Sequence, residues 1–255
     1  SRDLFSFLPA LNKRFLVRKF WAFLEHQSIK HVSVVLATAN SDVRYLKQQY
    51  FKYNNLKYDV IYNFPKIYSG VQKNYLKTLF NIDKKYKILL YQGVVHSGRG
   101  IGALIKIVEK KTDIVGVVVG SGIMKKEYVK IASKSSADKR LFFLDRVPYK
   151  YLFNVTMSAD VGCALIKENS INNHFALPNK LFEYAYIGLP ILSSNLPNTA
   201  SFILKYNLGI VIRSKNIMNY KKAVHTINQN KRLYSNREII KKQYTWKNQE
   251  IKFLE

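Results

Sequence analysis

Cysteine occurs once in 255 residues, at Cys163, so an internal disulfide framework and any multi-cysteine metal site are excluded. That economy suits a reducing compartment, and the lone thiol, inside an apolar run, reads as packing. Carboxylates are scarce as well: 16 Asp plus Glu stand against 42 Lys plus Arg, a formal net charge of +26. A surface that is neutral on balance is thereby excluded. No run approaches the roughly 20 apolar residues of a membrane-spanning helix. Lys13, Arg14, Arg18 and Lys19 break up residues 4–26, which therefore do not read as a signal peptide. No set of His, Cys, Asp and Glu has metal-ligand spacing, and there is no internal repeat or low-complexity tract.

What is present is enough apolar material for a core, since 47% of the residues are hydrophobic, and wholesale disorder is not expected. Basic charge per residue is lowest in the middle of the chain. It concentrates toward the two ends, in runs such as NKRFLVRKF, NKRLYSNREIIKK and KNQEIK. One reading is attraction to a phosphate-rich partner: nucleic acid, anionic lipid or a nucleotide. The blander reading is a solvated, Lys-rich surface.

From Lys87 onward short apolar runs alternate with helical stretches, the rhythm of a parallel sheet wrapped by helices. The expected strands are KILLYQ (87–92), IVGVVVG (114–120), LFFLD (141–145), DVGCALI (160–166), PILSS (190–194) and GIVIR (209–213). Each is apolar enough to be buried on both faces. Helices are expected near 100–111, 124–136, 148–158, 179–188 and 197–206, with Pro148 and Pro197 at starts where a missing N–H costs nothing. Six strands in this order predict a doubly wound, Rossmann-like α/β unit over residues 87–230. Residues 1–66 read as a partial second α/β domain: a basic, aromatic helix to about residue 27, a strand at 31–38, a helix at about 41–53 and a strand at 58–64. Residues 67–86 read as a linker and 231–255 as C-terminal helices that cross back to the N-terminal part.

In such sheets ligands bind at the carboxyl ends of the strands, beside helix N-termini. Three loops qualify. GVVHSGRG (93–100) offers Gly93 and Gly98 for close backbone approach and the Arg99 guanidinium for a phosphate. GSG (120–122) follows the second strand, although a simple tight turn explains it equally. The most specific is ALPNKLFEYAYIGLPILSSNLP (176–197), where Asn179 and Lys180 start a helix and Glu183 follows on nearly the same face. Glu183 stands among apolar neighbours. It either pairs with Lys180 or accepts hydrogen bonds from the vicinal hydroxyls of a ribose. His96 and His174 lie in site loops, whereas His26, His31 and His225 read as structural or solvated.

KLFEYAYIGLPIL, GVVHSGRG, FLDRVPYKYL (143–152) and the terminal YTWKNQEIKFLE together resemble the C-terminal nucleotide-sugar domain of retaining GT-B glycosyltransferases of family four (group 1). The resemblance runs from about residue 31 to 255. It implies that Glu183 binds the donor ribose and Arg99 the donor diphosphate, with Gly93, Gly120, Ser121 and Gly122 lining the cleft. Backbone at Arg146 and Val147 would read the base, and Leu177, Pro178, Asn179 and Lys180 would approach the diphosphate and sugar. Arg99, Lys180 and Glu183 are thus the expected catalytic set, with no metal cofactor required.

Two departures from the family pattern stand out. The family commonly carries Glu-x7-Glu, yet Phe175 stands eight residues before Glu183, with Glu168 or Asn173 as substitutes. The second basic residue on the diphosphate falls at or near Gly93. The resemblance further implies that the acceptor surface belongs to an N-terminal domain of which residues 1–66 are only the end, so that the chain is a fragment. It implies a nucleotide sugar and a glycan or lipid-linked acceptor as partners, and a cytoplasmic place, peripheral on an anionic membrane surface through the first helix. Alternatively, the aromatics of that helix promote self-association. Two competing readings are a basic nucleic-acid-binding module and a sugar-nucleotide epimerase on the same fold.

Overall fold

The six apolar runs between Lys87 and Ile212 form six parallel strands, of which the four inner ones are buried at nearly every position. The edge strands Leu141–Leu144 and Gly209–Ile212, each with a neighbour on one side only, are mostly half-buried rather than covered on both faces as expected. The computed structural model describes residues 14–53, 55–62, 64–65, 74–212, 223–226 and 237–254. Residues 1–13 of the expected first helix, most of the first half of the expected linker, and residues 213–222 and 227–236 lie outside the described residues. The first part contains α1 (Phe15–Ser28), β1 (Val34–Ala37), α2 (Asn40–Gln49) and β2 (Lys57–Val60). After α3 (Tyr75–Leu79) come β3 (Lys87–Gln92), α4 (Ile101–Lys110), β4 (Ile114–Val119), α5 (Lys125–Ser133), β5 (Leu141–Leu144) and α6 (Tyr149–Met157). Then follow β6 (Val161–Ala164), α7 (Ile171–His174), α8 (Asn179–Ile187), β7 (Ile191–Ser194), α9 (Pro197–Lys205), β8 (Gly209–Ile212), α10 (Arg237–Gln243) and α11 (Trp246–Leu254).

The large sheet has the order β5-β4-β3-β6-β7-β8 and every pairing is parallel. The chain leaves β3 toward one edge, returns, and continues from β6 toward the other. The strand order therefore reverses between β3 and β6, where a doubly wound sheet opens a crevice. One face packs on α4, which buries Ile101, Leu104, Ile105, Ile107 and Val108 at helical spacing. The other packs on α8 and α9 through Leu181, Phe182, Tyr184, Phe202 and Ile203. Gly162 in β6 lets the Tyr184 ring lie against the strand: a Cβ there would sit 2.5 Å from the ring.

Strand ends fall a residue or so inside the expected limits for local reasons. IVGVVVG stops at Val119 because Gly120 turns away at φ 142°, its N–H bonding Leu144 O at 3.0 Å. Helix α8 ends at Gly188, whose φ of 74° is the left-handed cap that glycine favours. The strand expected over 31–38 begins only at Val34, since residues 29–31 form a 3-10 turn. Lys57–Val60 is shorter than the expected 58–64 at its far end, because the chain then crosses to the larger unit. There Tyr62 N–H bonds Gln249 Oε1 at 2.9 Å and Phe64 packs on Phe182 and Tyr244. Strands β1 and β2 form a separate parallel pair. Helix α3 lies within residues 67–86 and is packed rather than extended, with Leu76 fully buried and its N–H bonded to Ser158 Oγ at 3.2 Å.

Candidate functional site

A cleft of about 1020 Å³ opens over the carboxyl ends of β3 and β4 and the start of α8. Its lining includes Gly93, Arg99, Gly120, Ser121, Arg146, Val147, Leu177, Pro178, Asn179, Lys180 and Glu183, eleven of the thirteen residues expected from the sequence. Gly98 and Gly122 are not among the lining residues. Gly98 packs against the Asn169 side chain, where an added Cβ would lie 3.1 Å from Nδ2, and Gly122 packs on Val95 backbone. Both glycines are thus in close contact with neighbouring loops. Thr38, Ala39, Asp42 and Leu46 form the facing wall, so the cleft lies between the two α/β parts of the chain.

Helix α8 carries Lys180 and Glu183 one turn apart, and both side chains are buried against the ends of β3 and β6. They do not pair. The Glu183 carboxylate accepts from Gln92 Nε2 at 2.5 Å and Tyr149 OH at 3.3 Å, and Gln92 Oε1 in turn accepts from Thr156 Oγ at 2.9 Å. Burial pushes the Glu183 carboxyl above the usual carboxylate range, against these hydrogen bonds and the Lys180 charge, which lower it. Two hydrogen bonds leave a carboxylate with further acceptor capacity, since its oxygens offer about four acceptor sites.

Lys180 is in the opposite position. Its Nζ is buried, has no hydrogen-bond partner among the described residues, and stands 3.7 Å from the centroid of the Tyr91 ring. Burial, with the Arg99 charge second, pulls its amine down to about 7. The ring face compensates a cation only in part, so the amine is held ready for an anion. Tyr91 is fixed by its own hydroxyl, which donates to Val94 O at 2.6 Å. At the next strand end Ser121 Oγ accepts from Arg146 N–H at 3.4 Å. Lys125 at 2.5 Å holds Asp145 below the usual carboxylate range.

Of the proposed replacements for the missing carboxylate, Asn173 lines the cleft with its Nδ2 tied to Lys167 O and Asn169 Oδ1, at 3.1 and 2.6 Å. Glu168 lies outside the lining and meets His174 Nδ1 at 2.6 Å. His96 is exposed and outside the lining, and Cys163 is buried, its thiol pushed up by that burial. Among the described residues no group of three or more His, Cys, Asp or Glu is placed to hold a metal. The residues that sequence reasoning missed are Tyr91, Gln92, Tyr149 and Thr156. Gln92 carried the available signal, a polar residue closing an otherwise apolar strand just before a glycine.

Residues 75–246 match the family described as glycosyl transferases, group 1. The chain belongs to this family. No curated protein sequence matches the chain. Among solved structures, this group 1 domain is similar to the pneumococcal O-GlcNAc transferase GtfA in complex with UDP and GlcNAc, at 16% identity and a TM-score of 0.70 over 89% of this chain and 45% of that one. It is similar to a mutant of S. aureus TarM in complex with fondaparinux, alpha-GlcNAc-glycerol and UDP, at 15% identity and a TM-score of 0.67 over 88% and 44%. A third is WaaG, a glycosyltransferase involved in lipopolysaccharide biosynthesis, at 16% identity and a TM-score of 0.63 over 85% and 61%. The chain thus spans between 44% and 61% of the length of these three proteins, and the likeness is one of GT-B fold.

Proposed function

We propose that the chain is the nucleotide-sugar part of a retaining GT-B glycosyltransferase of family four. It would transfer a sugar from a nucleoside diphosphate donor to a polysaccharide or lipid-linked acceptor in cell-surface glycan synthesis. The observation that carries this reading is Lys180, a buried amine with no hydrogen-bond partner among the described residues, in a cleft that also holds Arg99 and Glu183. A buried polar group without a partner is costly, and a diphosphate would supply the missing acceptors. Residues 1–66 then form the end of an acceptor domain, 67–86 the connection, 87–230 the donor domain and 231–255 the returning helices. The UDP in the GtfA and TarM structures and the lipopolysaccharide role of WaaG support the donor class and the acceptor class respectively. Family membership favours the transferase over the epimerase and nucleic-acid readings.

In this reading Glu183 takes the ribose hydroxyls while Gln92 and Tyr149 hold its carboxylate in place. Backbone at Arg146 and Val147 reads the base. As the bond from sugar to diphosphate breaks, negative charge gathers on the leaving group. Arg99, Lys180 and the first-turn amides of α8 stabilise it, each donor contributing on the order of 3 kcal/mol, without calling on a resident metal. Helix α1 places Phe15, Leu16, Phe20 and Phe23, each more than half exposed, beside Arg14, Arg18 and Lys19. We read it as an anionic-membrane contact on the cytoplasmic face. Flotation that does not depend on anionic lipid would turn this reading toward self-association.

Calorimetric titration with UDP, GDP and ADP and their sugar conjugates tests the site. One nucleotide class should bind the wild-type chain and bind Glu183→Ala far more weakly. A folded chain that binds none of them, or binding untouched by Glu183→Ala, would overturn the assignment.

A further inference from the structure

We infer that Asp42, on the wall facing Lys180, is the carboxylate that binds the hydroxyls of the donor's sugar; this deepens the nucleotide-sugar reading above and rests on it. Asp42 and Glu183 are the two carboxylates in the cleft lining among the described residues. Glu183 is engaged by Gln92 and Tyr149 on the β3 side, whereas Asp42 comes from α2 in the other part of the chain.

The position of Asp42 is fixed by its neighbours. Tyr45 follows Asp42 by three residues and Ser41 by four, so both neighbour Tyr45 on the surface of α2. Asn198 Nδ2 donates to Ser41 Oγ at 2.5 Å and to Phe175 O at 2.6 Å, which pins the start of α2 onto residue 175. The Tyr45 ring packs at 6.1 Å from the Phe175 ring. Asp42 is therefore held beside Phe175, in the lining of the same cleft as Lys180 and Glu183. Thr38 Oγ, from the end of β1, donates to Asp42 Oδ2 at 3.4 Å.

Charge decides what Asp42 meets. The opposite side of the cleft carries Arg99, Arg146 and Lys180, which suit a diphosphate. A carboxylate beside that diphosphate would repel it, since like charges at contact disfavour binding. A sugar carries hydroxyl donors next to the diphosphate, and an ionised carboxylate is an acceptor able to take two or more of them. A first-turn acid also stabilises its own helix, so the test must separate sugar recognition from stability.

The experiment titrates the full chain with UDP, UDP-glucose, UDP-galactose, UDP-N-acetylglucosamine, GDP and GDP-mannose, for the wild type and Asp42→Asn. The expected result is a loss of roughly tenfold in affinity for the preferred nucleotide sugar, with the matching free diphosphate binding as in the wild type. Equal loss for both ligands, or no loss for either, overturns the inference while leaving the donor site intact. An unchanged sugar affinity with slowed transfer also overturns it, by assigning Asp42 to the acceptor. Wild-type chain that binds no diphosphate refutes the nucleotide-sugar reading itself. Should Asp42→Asn lower the melting temperature, Asp42→Glu takes its place and must show the same sugar-selective loss.

Discussion

Helices α1 and α4 are both rich in apolar residues, yet one buries five of them and the other buries none. Helix α4 lies on a six-stranded sheet whose β4 is buried at every position. Helix α1 lies beside a two-stranded sheet, with Leu16 80% and Phe20 57% exposed. What holds it is polar and peripheral: Tyr50 OH donates to Glu25 at 2.6 Å and Tyr53 OH meets His26 at 3.2 Å. An apolar sequence becomes core only where enough surface exists to cover it, and two strands do not provide that surface. The cleft inherits this contrast. Its wall with Lys180 and Glu183 stands on a complete sheet, and its facing wall on α2, tied across by Asn198 and the Tyr45 to Phe175 contact.

The contrast predicts unequal costs for equal deletions. Leu104→Ala, in the covered helix, should cost about 2–5 kcal/mol in denaturant unfolding, whereas Phe20→Ser in α1 should cost less than about 0.5 kcal/mol. Comparable losses at the two positions would mean that α1 is covered in solution. Next in size is Lys180→Met. The variant should lose roughly a hundredfold in diphosphate affinity while the ligand-free protein gains stability, on the order of 2 kcal/mol, because a desolvated cation is replaced by an apolar side chain of similar length. Weaker binding together with a lower melting temperature would contradict this account of Lys180.

The pH dependence follows from the same group. With its amine lowered to about 7, Lys180 is charged below that pH and largely neutral above it in the empty cleft. The unfolded chain binds the proton up to the ordinary lysine value, so between about pH 7 and 10 Lys180 lowers stability as the pH falls. Nucleotide-sugar affinity moves the opposite way. It should be highest at or below pH 7 and weaken by up to about tenfold per unit above it, as protonation must accompany binding. Calorimetry in buffers of different ionisation enthalpy should register proton uptake at pH 8, and Lys180→Met should abolish it. A smaller effect is expected of Gln92→Leu, which removes one of the two donors on Glu183. It should weaken the preference for UDP over 2′,3′-dideoxy-UDP by about fivefold, with little change in the affinity for the dideoxy analogue.

Much of the fold was legible because the strands of a doubly wound sheet are continuous apolar runs, and the helices between them repeat at 3.6 residues. KILLYQ became β3 without change, and α8 ended at the glycine that marks it. Helices α3 and α7, of five and four residues, escaped because one turn carries too little periodicity to read. The Glu183 site was half legible. An acid among apolar neighbours is visible in a sequence, but its partners Gln92 and Tyr149 lie 91 and 34 residues away.

The scarcity of carboxylates and cysteine, the six apolar runs and the glycine-bounded loops determined by themselves a basic chain with an α/β sheet, whose strand-end loops and helix starts carry Arg99 and Lys180. They act through local propensity, side-chain periodicity and charge, which need no knowledge of what folds against what. Only the tertiary structure decided that Lys180 and Glu183, one turn apart, stay unpaired. It also decided that Gln92 claims the acid, that the Tyr91 ring lies under the amine, and that Asp42 faces them from another element. Those outcomes depend on long-range packing, which sets the desolvation and hydrogen-bond partners of each charge.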